Sequence, residues 1–233
     1  MHPMPFVDRD SQVTAVLGYA TEAQAGMGRL VLVEGEAGVG KSTLLEQVEA
    51  RLPGAAWHWG ACDGLFTPLP LAPLRDIADG LGGPLLEATR ADAGRESLFA
   101  ALVEAIRSND QLTVLVIEDV HWADEATLDL LRYTGRRIQK ERALVLVTFR
   151  DDESAASAPL RLALGELSRQ RATRRVTLAP LSRHGVARLV AGITADSCVA
   201  DVNVVAIGTP SKSAAADDAK RLPVNAIDVA AAP

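Results

Sequence analysis

The sequence predicts an α/β fold of three layers, in which a mainly parallel sheet of about five strands is covered by helices on both faces. Short runs rich in Val and Leu alternate with longer segments of helical spacing, which is typical of such a sheet. The chain has 233 residues, of which 48% are hydrophobic and 23% charged, so it can bury a sizeable core.

The strands are predicted where apolar runs are short and bounded by turn residues, and the helices where apolar residues recur every three or four positions. The five runs are 30–34, 56–60, 112–117, 143–148 and 175–178. Segments 41–52 and 127–138 are predicted as crossover helices, because each places its leucines on one face. Asp124 precedes the second of these helices and is predicted to cap its amino end.

The composition disfavours several classes of partner. A net charge of −6 and a pI near 5.3 provide no basic field for DNA or RNA, so direct nucleic-acid binding is not expected. No apolar run approaches the length of a membrane span, and the first ten residues do not resemble a secretion signal. Cys62 and Cys198 are the only cysteines and lie far apart, which predicts neither a disulfide nor a zinc site. A cytoplasmic protein is expected.

The composition changes near Gly192. The chain has 19 Arg and 2 Lys before this residue, but 1 Arg, 2 Lys, a single Leu and no aromatic residue from it onward. We therefore predict one domain over residues 1–191 and an Ala/Asp/Pro-rich tail over 192–233 that is disordered or arises from a frameshift.

The segment "GEAGVGKST" matches the pattern G-x-x-x-x-G-K-[ST], and it follows a predicted strand and opens a predicted helix. Glycines in this setting let successive backbone N–H groups face phosphate oxygens, and the helix amino end adds partial positive charge. The lysine is expected to reach the β- and γ-phosphates, and Ser42 to ligate Mg²⁺. The predicted nucleotide-binding residues are Gly35, Glu36, Ala37, Gly38, Val39, Gly40, Lys41, Ser42 and Thr43.

Two adjacent acids end the next buried run, "LTVLVIEDV". Such a pair can divide the work of nucleotide hydrolysis, one acid holding the magnesium shell and the other activating water. By position Glu118 is the metal-shell acid, through water, and Asp119 the base, although Asp is the commoner residue in the first role. The assignment of the base stays open between them.

Three further features have both a functional and a structural interpretation. Arg150 follows the fourth run and is a candidate to sense the γ-phosphate, or else a surface arginine paired with Asp151 or Asp152. His121 is expected to be a packed residue rather than a substrate contact. An arginine cluster is expected to be a solvated helix-to-strand loop rather than a site for an acidic partner. The cluster consists of Arg169, Arg171, Arg174 and Arg175.

With these motifs together, residues 5–191 resemble the nucleotide-binding module of the signal-transduction ATPases with numerous domains (STAND). These are AAA-like P-loop ATPases, and the resemblance is to the bacterial LuxR-type regulators among them. "FVDRDSQV", "EGEAGVGKSTLL", "CDGLFTPLPLAPLRDIADGL", "IEDVHWADEATLDLLRY", "VTFRDDE" and "RRVTLAPLSRHGVARLV" occur in the order of that family's boxes. Asp8 stands where the opening box usually has Gly.

The resemblance implies a P-loop NTPase sheet in which an extra strand separates the phosphate-loop strand from the acidic one. It also implies ATP and Mg²⁺ as ligands and a role as a nucleotide-dependent switch in transcriptional control, with slow or no hydrolysis in a truncated chain. Two alternatives stay open: a self-sufficient P-loop ATPase, and a non-catalytic module in which ATP is structural. Self-association or a protein partner is also left open.

Overall fold

A computed structural model describes residues 7–64, 69–151 and 157–196, with side chains described up to residue 191. Within those residues the chain forms one five-stranded sheet in the order β2-β3-β4-β1-β5. Every neighbouring pair of strands is parallel. The strands are β1 (Arg29–Gly35), β2 (Ala56–Ala61), β3 (Thr113–Glu118), β4 (Ala143–Phe149) and β5 (Thr173–Leu178).

The predicted fold class is confirmed, and each strand covers its predicted apolar run to within two residues at either end. The expectation of an extra strand is also confirmed, because β4 lies between β1 and β3. The carboxyl ends of β1, β3 and β4 therefore share one edge of the sheet, where ligands of open α/β sheets bind.

Helices connect the strands. They are α1 (Asp10–Gln24), α2 (Lys41–Glu49), α3 (Ala72–Leu81), α4 (Gly83–Arg90), α5 (Arg95–Arg107), α6 (Glu125–Arg137), α7 (Ala158–Ser168) and α8 (Arg183–Asp196). The two predicted crossover helices are α2 and α6. Helix α2 ends three residues before the predicted end, and Leu52 is half-buried beyond it.

Two apolar layers cover the sheet because successive residues of a strand face opposite sides. Leu30, Leu32 and their counterparts on β3 and β4 pack with α3, α5, α6 and α7 in one large cluster. Val31 and Val33 are fully buried on the other side, where α1 and α2 lie against the sheet. This gives the three layers that the sequence predicts.

Asp124 caps α6, as predicted: its Oδ1 accepts hydrogen bonds from the N–H groups of Ala126 (2.8 Å) and Thr127 (3.1 Å). Its Oδ2 accepts a third from the N–H of Leu71 (3.2 Å), one residue before α3. One carboxylate thus caps the amino end of α6 and also anchors the residue that precedes α3.

Residues Val7–Ser182 form one compact unit, and α8 falls outside it. The predicted boundary at residue 191 lies inside α8 and stays a prediction. Of the predicted tail, residues 197–233 lie outside the described part of the chain. Within that part, none of the helices has the length and apolarity required to cross a membrane.

Candidate functional site

The glycine-rich loop lies between β1 and α2, at the carboxyl edge of the sheet. Gly38 (φ 71°) and Gly40 (φ 95°) have left-handed backbones, which cost other residues strain. Gly35 is needed for a different reason: a Cβ there would lie 2.7 Å from the carbonyl oxygen of Leu178 on β5. Gly38 and Gly40 therefore allow the loop to bend, and Gly35 allows close packing against β5.

Lys41 is the first residue of α2, and only 8% of it is exposed. Its Nζ donates to the carbonyl oxygens of Gly35 (2.8 Å) and Glu36 (2.9 Å). A buried ammonium needs such acceptors, and here they belong to the loop itself. The charge is therefore held at the loop where the motif predicts it to act.

Ser42 and Glu118 come together although 76 residues separate them in the sequence. The Ser42 hydroxyl, at the start of α2, donates to Oε1 of Glu118, at the end of β3, over 2.5 Å. Parallel strands place both at one edge, so a hydroxyl and a carboxylate oxygen lie side by side beside the loop. Thr43 is exposed on the next position of α2.

Asp119 follows Glu118 but has a different backbone conformation. Its φ of 54° lies in the left-handed region, where the chain leaves β3 and enters the 3-10 turn Val120–Trp122. Its N–H donates to Oγ1 of Thr148 (2.9 Å), a buried residue of β4. The Asp119 side chain is 49% exposed, and its Oδ1 lies 3.7 Å from Nδ1 of His121.

His121 is buried, as predicted, and its ring lies 5.1 Å from that of Trp122. Trp122 itself is 48% exposed, and a Cβ on Gly64 would lie 3.0 Å from its ring. An indole thus lies against the chain after β2 while one side faces water, close to the candidate acids.

Arg150 directly follows β4 at the same edge and is half-buried. Among the described residues, no hydrogen bond or ion pair holds its guanidinium, so the alternative interpretation, a pairing with Asp151, is not observed there. Asp152, the other expected partner, lies outside the described residues.

Sequence reasoning missed Arg9, which is only 5% exposed. Its Nη2 donates to the carbonyl oxygens of Val39 in the glycine-rich loop (3.2 Å) and of Ala179 after β5 (2.5 Å). Burial lowers the pKa of the Arg9 guanidinium, and the neighbouring Asp8 opposes this effect. The segment "VDRD" draws attention to this arginine, but no pattern in the sequence identifies the backbone carbonyls that accept its hydrogen bonds.

The arginine cluster differs from the expected solvated loop in one respect. Arg174 and Arg175 belong to β5, and Arg175 forms an ion pair with Glu34 on β1 (2.7 Å). Arg175 is also the first residue of the predicted strand 175–178, which is confirmed, whereas the prediction of a loop was wrong for Arg174, which carries no apolar signal. Arg169 and Arg171 are exposed before the strand.

Cys62 is a buried free thiol near the acids of this edge. Burial, together with the carboxylates of Asp124, Asp119, Asp63 and Asp76, raises the pKa of Cys62 to about 12. Because the thiolate is the reactive form, this shift disfavours reaction of the cysteine at neutral pH. Cys198 lies outside the described residues.

Comparison with protein families gives one match that covers most of the chain. The family described as AAA ATPase domain matches residues 5–178, which include the glycine-rich loop, both acids and Arg150. The chain belongs to this AAA ATPase family. Membership implies a P-loop ATPase domain and hence nucleotide binding.

Relatives of this AAA domain are remote and longer. An uncharacterized protein of Rhizobium meliloti (strain 1021) is 26% identical over 70% of this chain and 20% of that protein. The structure of the Aeropyrum pernix Orc1 protein in complex with DNA is 14% identical and has a TM-score of 0.62, over 83% of this chain and 51% of that one. This similarity confirms the fold alone.

A third similarity is to a STAND protein with a tetratricopeptide repeat sensor from Pyrococcus horikoshii. It is 20% identical and has a TM-score of 0.47, over 79% of this chain and 25% of that one. The chain thus spans about half the length of the Orc1 structure and about a fifth of the Rhizobium relative.

Proposed function

We propose that this AAA domain binds Mg-ATP at the glycine-rich loop and acts as the nucleotide-dependent switch of a larger bacterial transcriptional regulator of the LuxR type. The observation that carries the binding site is the 2.5 Å contact between the Ser42 hydroxyl and Glu118 Oε1, beside the loop that holds Lys41. Such a pair of oxygens next to a phosphate cradle suits a nucleotide with its metal.

The donor set fits Mg²⁺. This cation prefers hard oxygen ligands, and with nucleotides it is usually held by one or two protein groups plus phosphates and water. Ser42 and Glu118 would hold it, Glu118 through water, and the ion would neutralise charge on the phosphates. The described residues include no group of three or more His, Cys, Asp and Glu side chains that could hold a metal ion without a nucleotide.

The chain's own residues then have distinct roles. The loop N–H groups and Lys41 bind the phosphates, Thr43 supports them at the start of α2, and Asp119 orients or deprotonates water. Arg150, at the end of β4, stabilises charge on the γ-phosphate.

Hydrolysis is expected to be slow. Electrostatic catalysis depends on groups that are preorganised and shielded from water. Asp119 is half exposed, and no described residue holds the Arg150 guanidinium in place. The site is therefore better built for binding than for turnover.

The role in a regulator rests on the resemblance of six ordered sequence boxes. The length of the Rhizobium relative, of which this chain covers 20%, supports only the part of the proposal that concerns a larger protein. The ligands in the cell are then ATP and a protein partner or a second copy of the chain. The alternatives are a self-sufficient ATPase and a module with structural ATP.

Measurement of ATP affinity beside ATP turnover separates these functions. A switch is expected to bind Mg-ATP tightly and hydrolyse it below about 1 s⁻¹, the lower end of the usual enzyme range. Turnover above that rate would favour the self-sufficient ATPase. Bound ATP that is neither hydrolysed nor exchanged for free nucleotide would favour structural ATP.

The site assignment has its own test in Lys41→Ala. Removal of the buried ammonium is expected to abolish most ATP binding, since no other side chain of the loop carries positive charge. Calorimetric titration measures this, with Lys140→Ala as the control because Lys140 is an exposed lysine after α6. Unchanged affinity in Lys41→Ala would show that the nucleotide binds elsewhere.

A further inference from the structure

The buried guanidinium of Arg9 joins two backbone segments that are far apart in the sequence. One is the glycine-rich loop, through the Val39 carbonyl, and the other is the segment 179–182 that follows β5, through the Ala179 carbonyl. An arginine buried to this degree is ordered, since its charge needs its acceptors. The two segments are thus held by one side chain.

The contact with Val39 fixes the direction of a peptide in the phosphate loop. Val39 lies between Gly38 and Gly40, whose φ angles are both positive, so the peptide after Val39 leads into a glycine with a left-handed backbone. In a trans peptide the C=O and the next N–H point in opposite directions. By holding the Val39 carbonyl, Arg9 therefore determines which way the Gly40 N–H faces.

Two further contacts lie next to this link. The Ser182 hydroxyl donates to Oδ2 of Asp8 (2.5 Å), the residue before Arg9. Gly35, the first residue of the loop motif, packs so closely on the Leu178 carbonyl that a Cβ would lie 2.7 Å from it. The phosphate loop therefore contacts the end of β5 in two ways. Gly35 packs directly on Leu178, and Val39 is linked to Ala179 through Arg9.

We infer that Arg9 is a positioning residue of the phosphate loop and that it transmits nucleotide occupancy to residues 179–182. The inference rests on the proposed function, since it assigns this loop to ATP phosphates. A phosphate that fixes the loop fixes the Val39 carbonyl, and Arg9 then holds Ala179 in place. Loss of Arg9 uncouples the two segments without removing any group that touches the nucleotide.

The test compares Arg9→Ala and Arg9→Lys with Arg174→Ala. Arg174 is a matched control because its Nη1 also donates to two backbone carbonyls, those of Arg171 and Thr173 (2.9 Å each), at the opposite end of β5. Amide hydrogen exchange of the full chain is measured without nucleotide and with saturating Mg-ATP. Affinities are measured for ATP, ADP and AMP.

Without nucleotide, Arg9→Ala is expected to exchange about tenfold faster at residues 38–42 and 179–182, the effect of losing bonds from a charged donor. With Mg-ATP, wild type gains protection at both segments, whereas Arg9→Ala gains it at 38–42 alone. Affinity for ATP and ADP falls about tenfold and that for AMP is unchanged, because AMP does not reach the displaced peptide. The exchange rates and affinities of Arg9→Lys are expected to lie between those of wild type and Arg9→Ala.

Equal exchange in Arg9→Ala and Arg174→Ala at residues 38–42 would overturn the inference. So would ATP-induced protection of 179–182 that survives in Arg9→Ala, or an equal loss of ATP and AMP affinity. If Arg9→Ala does not fold, the same comparisons are made with Arg9→Lys. If wild type binds no ATP, the proposed function fails, and exchange without nucleotide still decides whether Arg9 positions the loop.

Discussion

Glu118 and Asp119 show how adjacent residues of the same charge acquire different surroundings. Glu118 is the last residue of β3 and keeps strand geometry, so its carboxylate meets Ser42 on α2. Asp119 turns the chain with a φ of 54°, and its side chain lies near His121 instead. The sequence left the base open between them, and Asp119 as the base stays a prediction.

Exchange of each acid for its amide is expected to separate the two roles. Asp119→Asn should keep Mg-ATP affinity and slow hydrolysis by about 10²-fold or more, the usual contribution of a general base. Glu118→Gln should instead raise the Mg²⁺ concentration needed for binding, since a carboxylate beside the metal shell is lost. Phosphate release at saturating ATP and a magnesium titration measure the two effects.

The exposed Asp79 of α3 provides the control, because Asp79→Asn removes a carboxylate of equal charge away from the site. Wild-type turnover in Asp119→Asn would show that Glu118 or another group is the base.

Asp8 illustrates why a family position can prefer glycine and still accept another residue. Its φ of 57° lies in the left-handed region, where Asp is tolerated better than most side chains. Its carboxylate also gains the Ser182 hydroxyl as a donor. The departure from Gly thus adds a contact to the segment after β5 at a modest backbone cost.

At the scale of elements, the strands were most predictable where they are apolar runs buried by helices on both sides. β4 is buried at every position, and its predicted range 143–148 lacks only Phe149. The edge strand β5 was predicted two residues short, because Thr173 and Arg174 carry no apolar signal. Parallel topology then predicted that the loop and the acids meet, which Ser42 and Glu118 do.

The contacts that could not be predicted depend on tertiary structure alone. The acceptors of Arg9 are backbone carbonyls 30 and 170 residues away, and any residue type could supply them. The surroundings of Arg150 are likewise set by packing rather than by the motif that precedes it. Periodicity and turn residues predict the fold and the central site, but not the contacts of the side chains that support this site.

The double role of Asp124 makes an element-scale prediction. Asp124→Ala removes a cap with two N–H donors and the link to Leu71, so the free energy of unfolding should fall by about 2 kcal/mol, the upper end of the range for caps. Urea denaturation measures it.

Ser157→Ala provides a matched cap control. Ser157 caps α7 through a single bond to the Leu160 N–H at 3.3 Å, so its loss should cost less than that of Asp124. A Ser157→Ala penalty equal to that of Asp124→Ala would mean that the link to α3 adds nothing.

For the whole molecule, the position of the domain boundary decides what can fold and bind alone. Every candidate site residue lies within the compact unit Val7–Ser182, and so do the five strands. The family match ends at residue 178, whereas the sequence composition changes only near residue 192. We therefore expect the shortest fragment that keeps the nucleotide site to end between residues 178 and 191.

A fragment of residues 1–182 is therefore expected to unfold cooperatively and to bind Mg-ATP as tightly as the full chain, because it keeps Ser182, whose hydroxyl donates to Asp8 beside Arg9. A fragment of residues 1–177 loses Leu178 and Ala179, against which Gly35 and Arg9 pack, and should lose most of its ATP affinity. Thermal unfolding and calorimetric titration of both, beside a fragment of residues 1–191, measure the difference. If 1–182 fails where 1–191 succeeds, then α8 is part of the ATP-binding unit and the boundary near 191 is correct.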